Sequence, residues 1–91
     1  IPLSDILYIE ALGNYVKIFR KSGGHVLTRT NLKAITDLLP VHDFLRIHRS
    51  YVIPISSVVS FSRSKVEIEG NVGELPIGSQ YVASVMDTLG K

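Results

Sequence analysis

The stretch Phe44-Leu45-Arg46-Ile47-His48-Arg49-Ser50-Tyr51-Val52 decides the fold class of this chain, because it places a short polar interruption inside an apolar run. The residues on either side are aromatic or aliphatic, of the kind that is enriched in β-strands. The stretch therefore predicts a strand that breaks into a polar loop and resumes at Tyr51. His48, Arg49 and Ser50 are the polar residues of that loop.

The side chains of this loop suit contact with nucleic acid. The planar fork of Arg49 matches the two major-groove acceptors of guanine, or one phosphate, and His48 or Ser50 beside it can bond a neighbouring phosphate. The alternative interpretation is that Arg46, His48 and Arg49 are solvated strand ends, or partners of acids such as Asp43. One basic loop is a weak signal for nucleic-acid binding. At this point both interpretations stay open.

The composition is that of one small globular domain. A chain of 91 residues can build a single core, and 45% hydrophobic content indicates that it folds. Ten Lys and Arg against eight Asp and Glu leave a net charge of only +2, so total charge does not argue for a polyanionic partner. The basic residues between positions 17 and 49 are Lys17, Arg20, Lys21, Arg29, Lys33, Arg46 and Arg49, whereas acids gather in the last third at Glu67, Glu69, Glu74 and Asp87. This asymmetry is compatible with one basic face.

Several classes of protein are disfavoured by what the sequence lacks. The absence of cysteine excludes a disulfide framework and a thiolate metal site, and it is compatible with a reducing compartment. No segment approaches the ~20 apolar residues of a membrane span, and no signal peptide is visible, so we expect a cytoplasmic protein without a membrane partner. No nucleophile elbow, phosphate-binding loop or metal-ligand spacing is present. We therefore expect neither an enzyme nor a cofactor, and we expect residues 1–91 to be one domain cut from a longer protein.

Strand and helix signals predict the order of the elements. An apolar run at residues 5–11 predicts a strand that is buried on both faces, and residues 15–21 and 25–29 predict a hairpin around a Gly-Gly turn. Thr30 is a plausible N-cap for a short helix that Pro40 ends. The helical stripe of that helix is Leu32, Ile35, Leu38 and Leu39, and the stripe of a final helix opened by Gly78-Ser79 is Val82, Val85, Met86 and Leu89.

Together these signals predict a mainly β domain with antiparallel sheets of seven short strands, one short covering helix and one C-terminal helix. Helix-turn-helix architecture has no support, because no second helix of adequate length follows the first within a few residues. If the chain binds DNA, loops must do the reading.

In order and spacing, several blocks of the sequence resemble the LytTR-type DNA-binding domain. The blocks are residues 6–11 with 13–16, residues 30–39, residues 44–52, and residues 75–78 with Tyr81. The resemblance covers about residues 3–90. It implies a mainly antiparallel β domain at the C-terminus of bacterial two-component response regulators, after a receiver domain. It also implies that loops enter successive major grooves of double-stranded DNA and that two copies bind direct repeats.

The resemblance implies three contact loops in this sequence, at residues 13–15, 48–50 and 78–80. The candidates for base contacts are Asn14, Tyr15, Arg49 and Gln80, and the candidates for backbone contacts are Lys17, Arg29, Arg46, His48, Ser50 and Ser79. Many relatives carry Asn at the position of Pro54, and relatives often carry a basic residue in the third loop, where this chain has Ser79 and Gln80. Pro54 affects the expected geometry of the loop after Tyr51, and Ser79 and Gln80 affect the expected strength of the contact between the third loop and DNA.

A second functional hypothesis is a β-rich protein-interaction or dimerisation module that does not bind DNA. In that reading Phe19, Tyr51 and Phe61 form an exposed apolar patch, and the basic side chains surround it.

Overall fold

Two antiparallel sheets and two helices make up the protein in the computed structural model, which describes residues 1–90. The strands are β1 (Ile6–Leu12), β2 (Tyr15–Arg20), β3 (His25–Thr28), β4 (Phe44–His48), β5 (Tyr51–Pro54), β6 (Val58–Phe61), β7 (Lys65–Ile68) and β8 (Gly73–Pro76), and the helices are α1 (Leu32–Leu38) and α2 (Val82–Leu89). The predicted mainly β class is confirmed. Neither of the helices in residues 1–90 is long and apolar enough to cross a membrane.

The larger sheet has five strands in the order β3-β2-β1-β5-β4, and the smaller sheet has the order β6-β7-β8. The predicted hairpin is β2–β3, and the strand β1 lies at the centre of the larger sheet. Ile9 in β1 faces Ile18 of β2 on one side and Val52 of β5 on the other. The β4–β5 hairpin therefore joins the sheet beside β1, and the polar turn of the stretch 44–52 lies near the end of β1.

The larger sheet is covered on both faces because side chains alternate along its strands. Val52 and Ile53, neighbours in sequence, belong to two different cores. The first core, which includes Leu32 of α1, consists of Ile6, Ile9, Val16, Leu32, Phe44 and Val52. The second core, which joins the smaller sheet and α2, consists of Leu45, Ile47, Ile53, Val66, Ile68, Leu75, Ile77 and Val85. As predicted, β1 is covered on both sides, with Ile9 in the first core and Tyr8 packed against the second.

Two predictions about the helix α1 are wrong. Its N-cap is Asn31 rather than Thr30, since Asn31 Oδ1 accepts a 2.9 Å hydrogen bond from the backbone N–H of Ala34. Leu38 was assigned to the covering stripe, but it is 82% exposed, whereas Leu32 is 2% exposed. The reason is length. A helix of seven residues presents only about two turns to the sheet, and the chain is extended at Leu39, which returns to the first core from outside the helix.

The C-terminal half also differs in detail from the prediction. Residues 1–90 form eight strands rather than seven, because Gly73–Pro76 pairs with β7. Leu75 is the single buried residue of that strand, so the strand sequence shows no apolar alternation. The final helix begins at Val82, since residues Ser79–Tyr81 form a separate 3-10 turn. The apolar stripe of α2 is confirmed, with Val85 fully buried.

Candidate nucleic-acid interface

The three predicted contact loops come to one edge of the domain. The backbone N–H of Ala11, near the end of β1, donates a 2.9 Å hydrogen bond to the carbonyl oxygen of Ser50 in the β4–β5 turn. The backbone N–H of Gly78 donates a 2.8 Å hydrogen bond to the carbonyl oxygen of Ile47 in β4. These two bonds attach the β1–β2 turn and the segment before α2 to the two sides of the β4–β5 hairpin. The edge therefore presents all three loops together, and we call it the loop edge.

The first loop is the two-residue turn between β1 and β2. Gly13 has φ +59°, in the left-handed region that glycine adopts without a steric penalty. Asn14 and Tyr15 are both exposed. With Gly13 and the residues around Arg29, Asn14 lines an open concavity of about 350 Å³. Arg29, which follows β3, lines the same concavity as Asn14.

The second loop is the turn between β4 and β5. Arg49 is exposed at its tip, and its guanidinium makes no hydrogen bond or ion pair within residues 1–90. The backbone N–H of Ser50 donates a 3.0 Å hydrogen bond to Nδ1 of His48. Because Nδ1 accepts, the proton of the neutral imidazole lies on Nε2, which is left as a donor. The turn therefore presents one unengaged guanidinium and one imidazole donor.

Arg46 was predicted as a DNA-backbone contact, and its guanidinium is engaged inside the loop edge. Its Nε donates to the carbonyl oxygen of His48 at 3.2 Å, and its Nη2 donates to the carbonyl oxygen of Arg49 at 2.8 Å. The guanidinium carbon lies 5.6 Å from the ring centroid of Tyr81, within the range of a cation–π contact. Arg46 thus contacts both the second loop and the turn that contains the third loop.

The third loop packs closely on the second. Gly78, Ser79 and Gln80 line a concavity of about 260 Å³ together with His48, Arg49 and Tyr81. A Cβ atom on Gly78 would lie 3.1 Å from Cδ2 of Tyr81 and 3.5 Å from Cα of His48. The missing side chain of Gly78 therefore permits the close approach that places Ser79 and Gln80, both exposed, beside Arg49.

Pro54, one of the two departures from the family pattern, lies at the far end of β5 from the contact turn. Its φ of −71° suits the proline ring. It pairs with Phe44 of β4, while β1 pairs with β5 only at Tyr51 and Val52. Its missing N–H therefore removes no hydrogen bond to β1, and the β4–β5 pairing continues regularly to Pro54.

A ladder of aromatic rings runs across the larger sheet to the loop edge, with one ring from each strand. The rings are His25, Phe19, Tyr8, Tyr51 and His48, with successive centroid distances of 6.0, 4.4, 6.3 and 5.3 Å. Nζ of Lys17 lies 5.2 Å from the ring centroid of Phe19. The ladder packs Tyr51 directly behind the imidazole of His48, and it therefore supports the ring that faces the second loop.

Tyr51 also connects the ladder to a carboxylate. Its hydroxyl donates a 3.3 Å hydrogen bond to Oε2 of Glu10. Burial and the nearby charge of Glu10 raise the pKa of Tyr51 above its ordinary value of 10.0, so the phenol is protonated and donating at neutral pH.

The apolar patch of the second functional hypothesis is divided by the fold. Phe19 and Tyr51 pack in the ladder, whereas Phe61 is 40% exposed on β6 and lines a different concavity with Val59 and Leu89. The described residues, 1–90, contain no group of three or more His, Asp or Glu side chains placed to hold a metal ion.

Sequence reasoning did not anticipate the role of Tyr81 as the ring beneath Arg46. Both residues lie within blocks that carry the family resemblance, but their contact joins β4 to the turn before α2. No local pattern signals such a contact, because the two residues belong to elements that are distant in sequence.

Comparison with known proteins identifies the class. The model of the LytTR family, the LytTr DNA-binding domain, matches residues 1–90. The chain therefore belongs to the LytTR family of DNA-binding domains. It is 27% identical over 94 residues to the CO-responsive transcriptional regulator RcoM of Rhodospirillum rubrum, a match that covers 98% of this chain and 39% of that protein. The chain thus spans about two fifths of the length of this curated relative.

A solved structure shares the fold. It is a LytTr DNA-binding domain from Bacillus cereus, described as part of a methyl-accepting/DNA response regulator. The TM-score is 0.82 at 21% sequence identity, and the match covers 100% of this chain and 86% of that one. The arrangement of two antiparallel sheets and two helices is thus the LytTr fold.

Proposed function

We propose that this domain binds double-stranded DNA sequence-specifically, by inserting the three loops of the loop edge into the major groove. The observation that carries the proposal is the meeting of three predicted contact loops at one edge, where the guanidinium of Arg49, at the tip of a two-stranded hairpin, makes no hydrogen bond or ion pair with residues 1–90. The major groove of B-DNA, about 12 Å wide, admits a two-stranded β-ribbon. Family membership supports the DNA partner.

The residues divide into base readers and phosphate contacts. Arg49 reads guanine through its paired donors, while Asn14 and Gln80 can read adenine with a side-chain amide. Tyr15, exposed beside Asn14, is a further base contact. The phosphate contacts are Lys17, Arg29, His48, Ser50 and Ser79. They set the position of the domain on the duplex without reading sequence.

In the parent protein, this domain is the output domain of a bacterial two-component transcriptional regulator, joined to a receiver domain and acting in the cytoplasm. Two copies bind direct repeats on one face of the duplex. The support is the family match, together with a structural relative described as part of a response regulator.

The test begins with selection of bound duplexes from a random library, followed by titration of the selected site at several salt concentrations. The logarithm of affinity should fall linearly with the logarithm of salt, with a slope of about −0.9 for each phosphate neutralised. Lys17→Ala and Arg29→Ala should each make the slope shallower by about one unit and weaken all duplexes alike. Asn14→Ala should leave the slope intact and relax the preference at one base position.

Lys21→Ala is the matched control for charge. Lys21 is exposed in the turn between β2 and β3, at the opposite end of β2 from Tyr15 and the loop edge, so removing its charge should leave the slope unchanged. No sequence enrichment, or a flat salt dependence of the wild-type domain, would contradict the proposal and favour a protein-interaction module.

Repeat binding has its own test. Duplexes with two copies of the selected site should bind two domains best when the copies are about one helical turn, 10 to 10.5 base pairs, apart. Adding about half a turn places the second site on the opposite face and should abolish any cooperativity. Equal binding at all spacings would contradict the paired arrangement.

A further inference from the structure

The guanidinium of Arg46 holds the backbone of the contact turn. Its Nη2 and Nε donate to the carbonyl oxygens of Arg49 and His48, at 2.8 and 3.2 Å. Hydrogen bonds from a charged donor are shorter and stronger than those between neutral groups. On the other side of the turn, Nδ1 of His48 accepts from the N–H of Ser50. The carbonyl oxygens of His48 and Arg49 and the N–H of Ser50 are therefore all bonded by side chains from β4.

The same guanidinium also joins the second loop to the third. The Arg46 guanidinium lies 5.6 Å from the ring centroid of Tyr81, the last residue of the 3-10 turn that carries Ser79 and Gln80. Because a guanidinium is planar, its edge can bond the carbonyls while its face rests on a ring. Arg46 thus contacts both the backbone of the turn that carries Arg49 and the ring of Tyr81, the residue after Gln80.

We infer that Arg46 is a positioning residue for specificity, which sets the direction of the Arg49 side chain and its relation to the third loop, rather than a phosphate contact. The inference rests on the proposed function for its effect on DNA. Its structural part concerns the free domain alone. An ammonium group has neither the paired N–H donors nor the planar face of a guanidinium. Arg46→Lys therefore retains the positive charge but cannot keep both the hydrogen bonds to the two carbonyl oxygens and the contact with the Tyr81 ring.

The first measurement is amide hydrogen exchange in the free domain for the wild type, Arg46→Lys and Arg46→Gln. Exchange at Ser50 and Gly78 should accelerate about tenfold or more in both variants, as expected for loss of about one charge-assisted hydrogen bond from the closed turn. Ile18, on β2 between two paired strands, is the internal control and should keep its protection. Unchanged exchange at Ser50 and Gly78 in a folded variant would overturn the inference.

The second measurement compares affinity for the selected site with affinity for random duplex. Both Arg46 variants should lose about tenfold in specific affinity and in the ratio of specific to random binding. The salt slope should stay at its wild-type value, since no phosphate contact is lost. If Arg46→Gln instead removes about 0.9 from the slope and weakens all duplexes while Arg46→Lys binds normally, Arg46 is a phosphate contact and the inference is wrong.

Two substitutions of Tyr81 test the contact between its ring and the guanidinium of Arg46, which joins the second loop to the third. Tyr81→Phe keeps the ring, and the Tyr81 hydroxyl makes no hydrogen bond within residues 1–90, so this variant should retain specificity. Tyr81→Leu removes the ring and should lower the specificity ratio. Combined with Arg46→Gln, it should cost less than the sum of the two single effects. Additive losses would overturn the coupling of the loops. A wild-type domain without sequence preference would refute the proposed function, while the exchange data would still decide the role of Arg46.

Discussion

The carbonyl oxygen of Arg49 accepts a 2.8 Å hydrogen bond from Nη2 of Arg46, so one arginine holds the backbone of the other. The two residues are three positions apart and belong to the same hairpin, yet their side chains have opposite surroundings. The guanidinium of Arg46 lies against carbonyl oxygens and the Tyr81 ring, whereas that of Arg49 is exposed and unengaged within residues 1–90. The structure thereby separates a side chain that can reach a ligand from one that holds the loop in place.

Arg49→Ala should weaken binding to the selected site by about 1 to 3 kcal/mol and change binding to random duplex much less, because a base contact contributes discrimination. Arg49→Lys should also lose affinity for the site, since a point charge does not reproduce the fork. Lys21→Ala, in the exposed β2–β3 turn at the opposite end of β2 from the loop edge, is the control and should bind as the wild type does. Equal losses on both kinds of duplex would show that Arg49 contacts only phosphate.

Two leucines of α1 offer a matched test of the first core. Leu32→Ala should lower the free energy of unfolding by about 2 to 5 kcal/mol, because it leaves a cavity where the side chain is 2% exposed. Leu38→Ala should change it by less than about 0.5 kcal/mol, since that side chain is 82% exposed. Urea denaturation of both variants is the measurement. Similar losses would mean that the helix lies on the sheet in a different rotation.

Asp5 should make the stability of the domain depend on pH in the acidic range. Hydrogen bonds from Ser22 and Arg20 hold the pKa of Asp5 below its ordinary value of 3.8. A lowered pKa in the folded state means that the contribution of Asp5 is fully present above its unfolded value and is lost as the pH falls through its folded value. The unfolded chain binds the proton more readily, so acid destabilises the fold.

Asp5→Asn should therefore flatten the fall of the unfolding free energy below about pH 4 and lower that free energy at neutral pH. Thermal unfolding between pH 2.5 and 7 is the measurement. Asp37→Asn is the control, because the ion pair of Asp37 with Lys33 lies on the exposed side of α1. A pH profile of Asp5→Asn that parallels the wild type would contradict the assignment.

The Ser57 hydroxyl is buried, in a residue that is only 1% exposed, and it has no hydrogen-bond partner within residues 1–90. An unsatisfied buried polar group costs about 1 to 3 kcal/mol. Ser57→Ala should therefore leave the free energy of unfolding unchanged or raise it by about 1 kcal/mol. Ser60→Ala is the comparison, since the Ser60 hydroxyl donates to Glu67 on the exposed side of the smaller sheet. A loss above about 1 kcal/mol for Ser57→Ala would show that its hydroxyl has a partner in solution.

The sequence by itself determined the elements whose side chains repeat with the period of one secondary structure. Val16 alternates with Lys17 in β2, and the stripe from Val82 to Leu89 has helical spacing, so local pattern was enough for both. Local pattern gave wrong predictions where a helix was too short for the spacing of its residues to identify the buried face. In α1, Leu38 satisfies helical spacing but lies beyond the part of the helix that meets the sheet, and Asn31 rather than Thr30 faces the free N–H groups.

Only the tertiary structure decided how the loops are arranged. The insertion of β5 between β1 and β4 places Ser50 beside Ala11, and the bond from Gly78 to Ile47 adds the third loop to the same edge. The sequence named the three loops through a family resemblance, and which residues contact DNA stays a prediction. The contact of the Arg46 guanidinium with the Tyr81 ring and the ladder of five rings also depend on strand order. Strand order is set by long-range packing, because residues that are distant in sequence become neighbours only when both cores are buried.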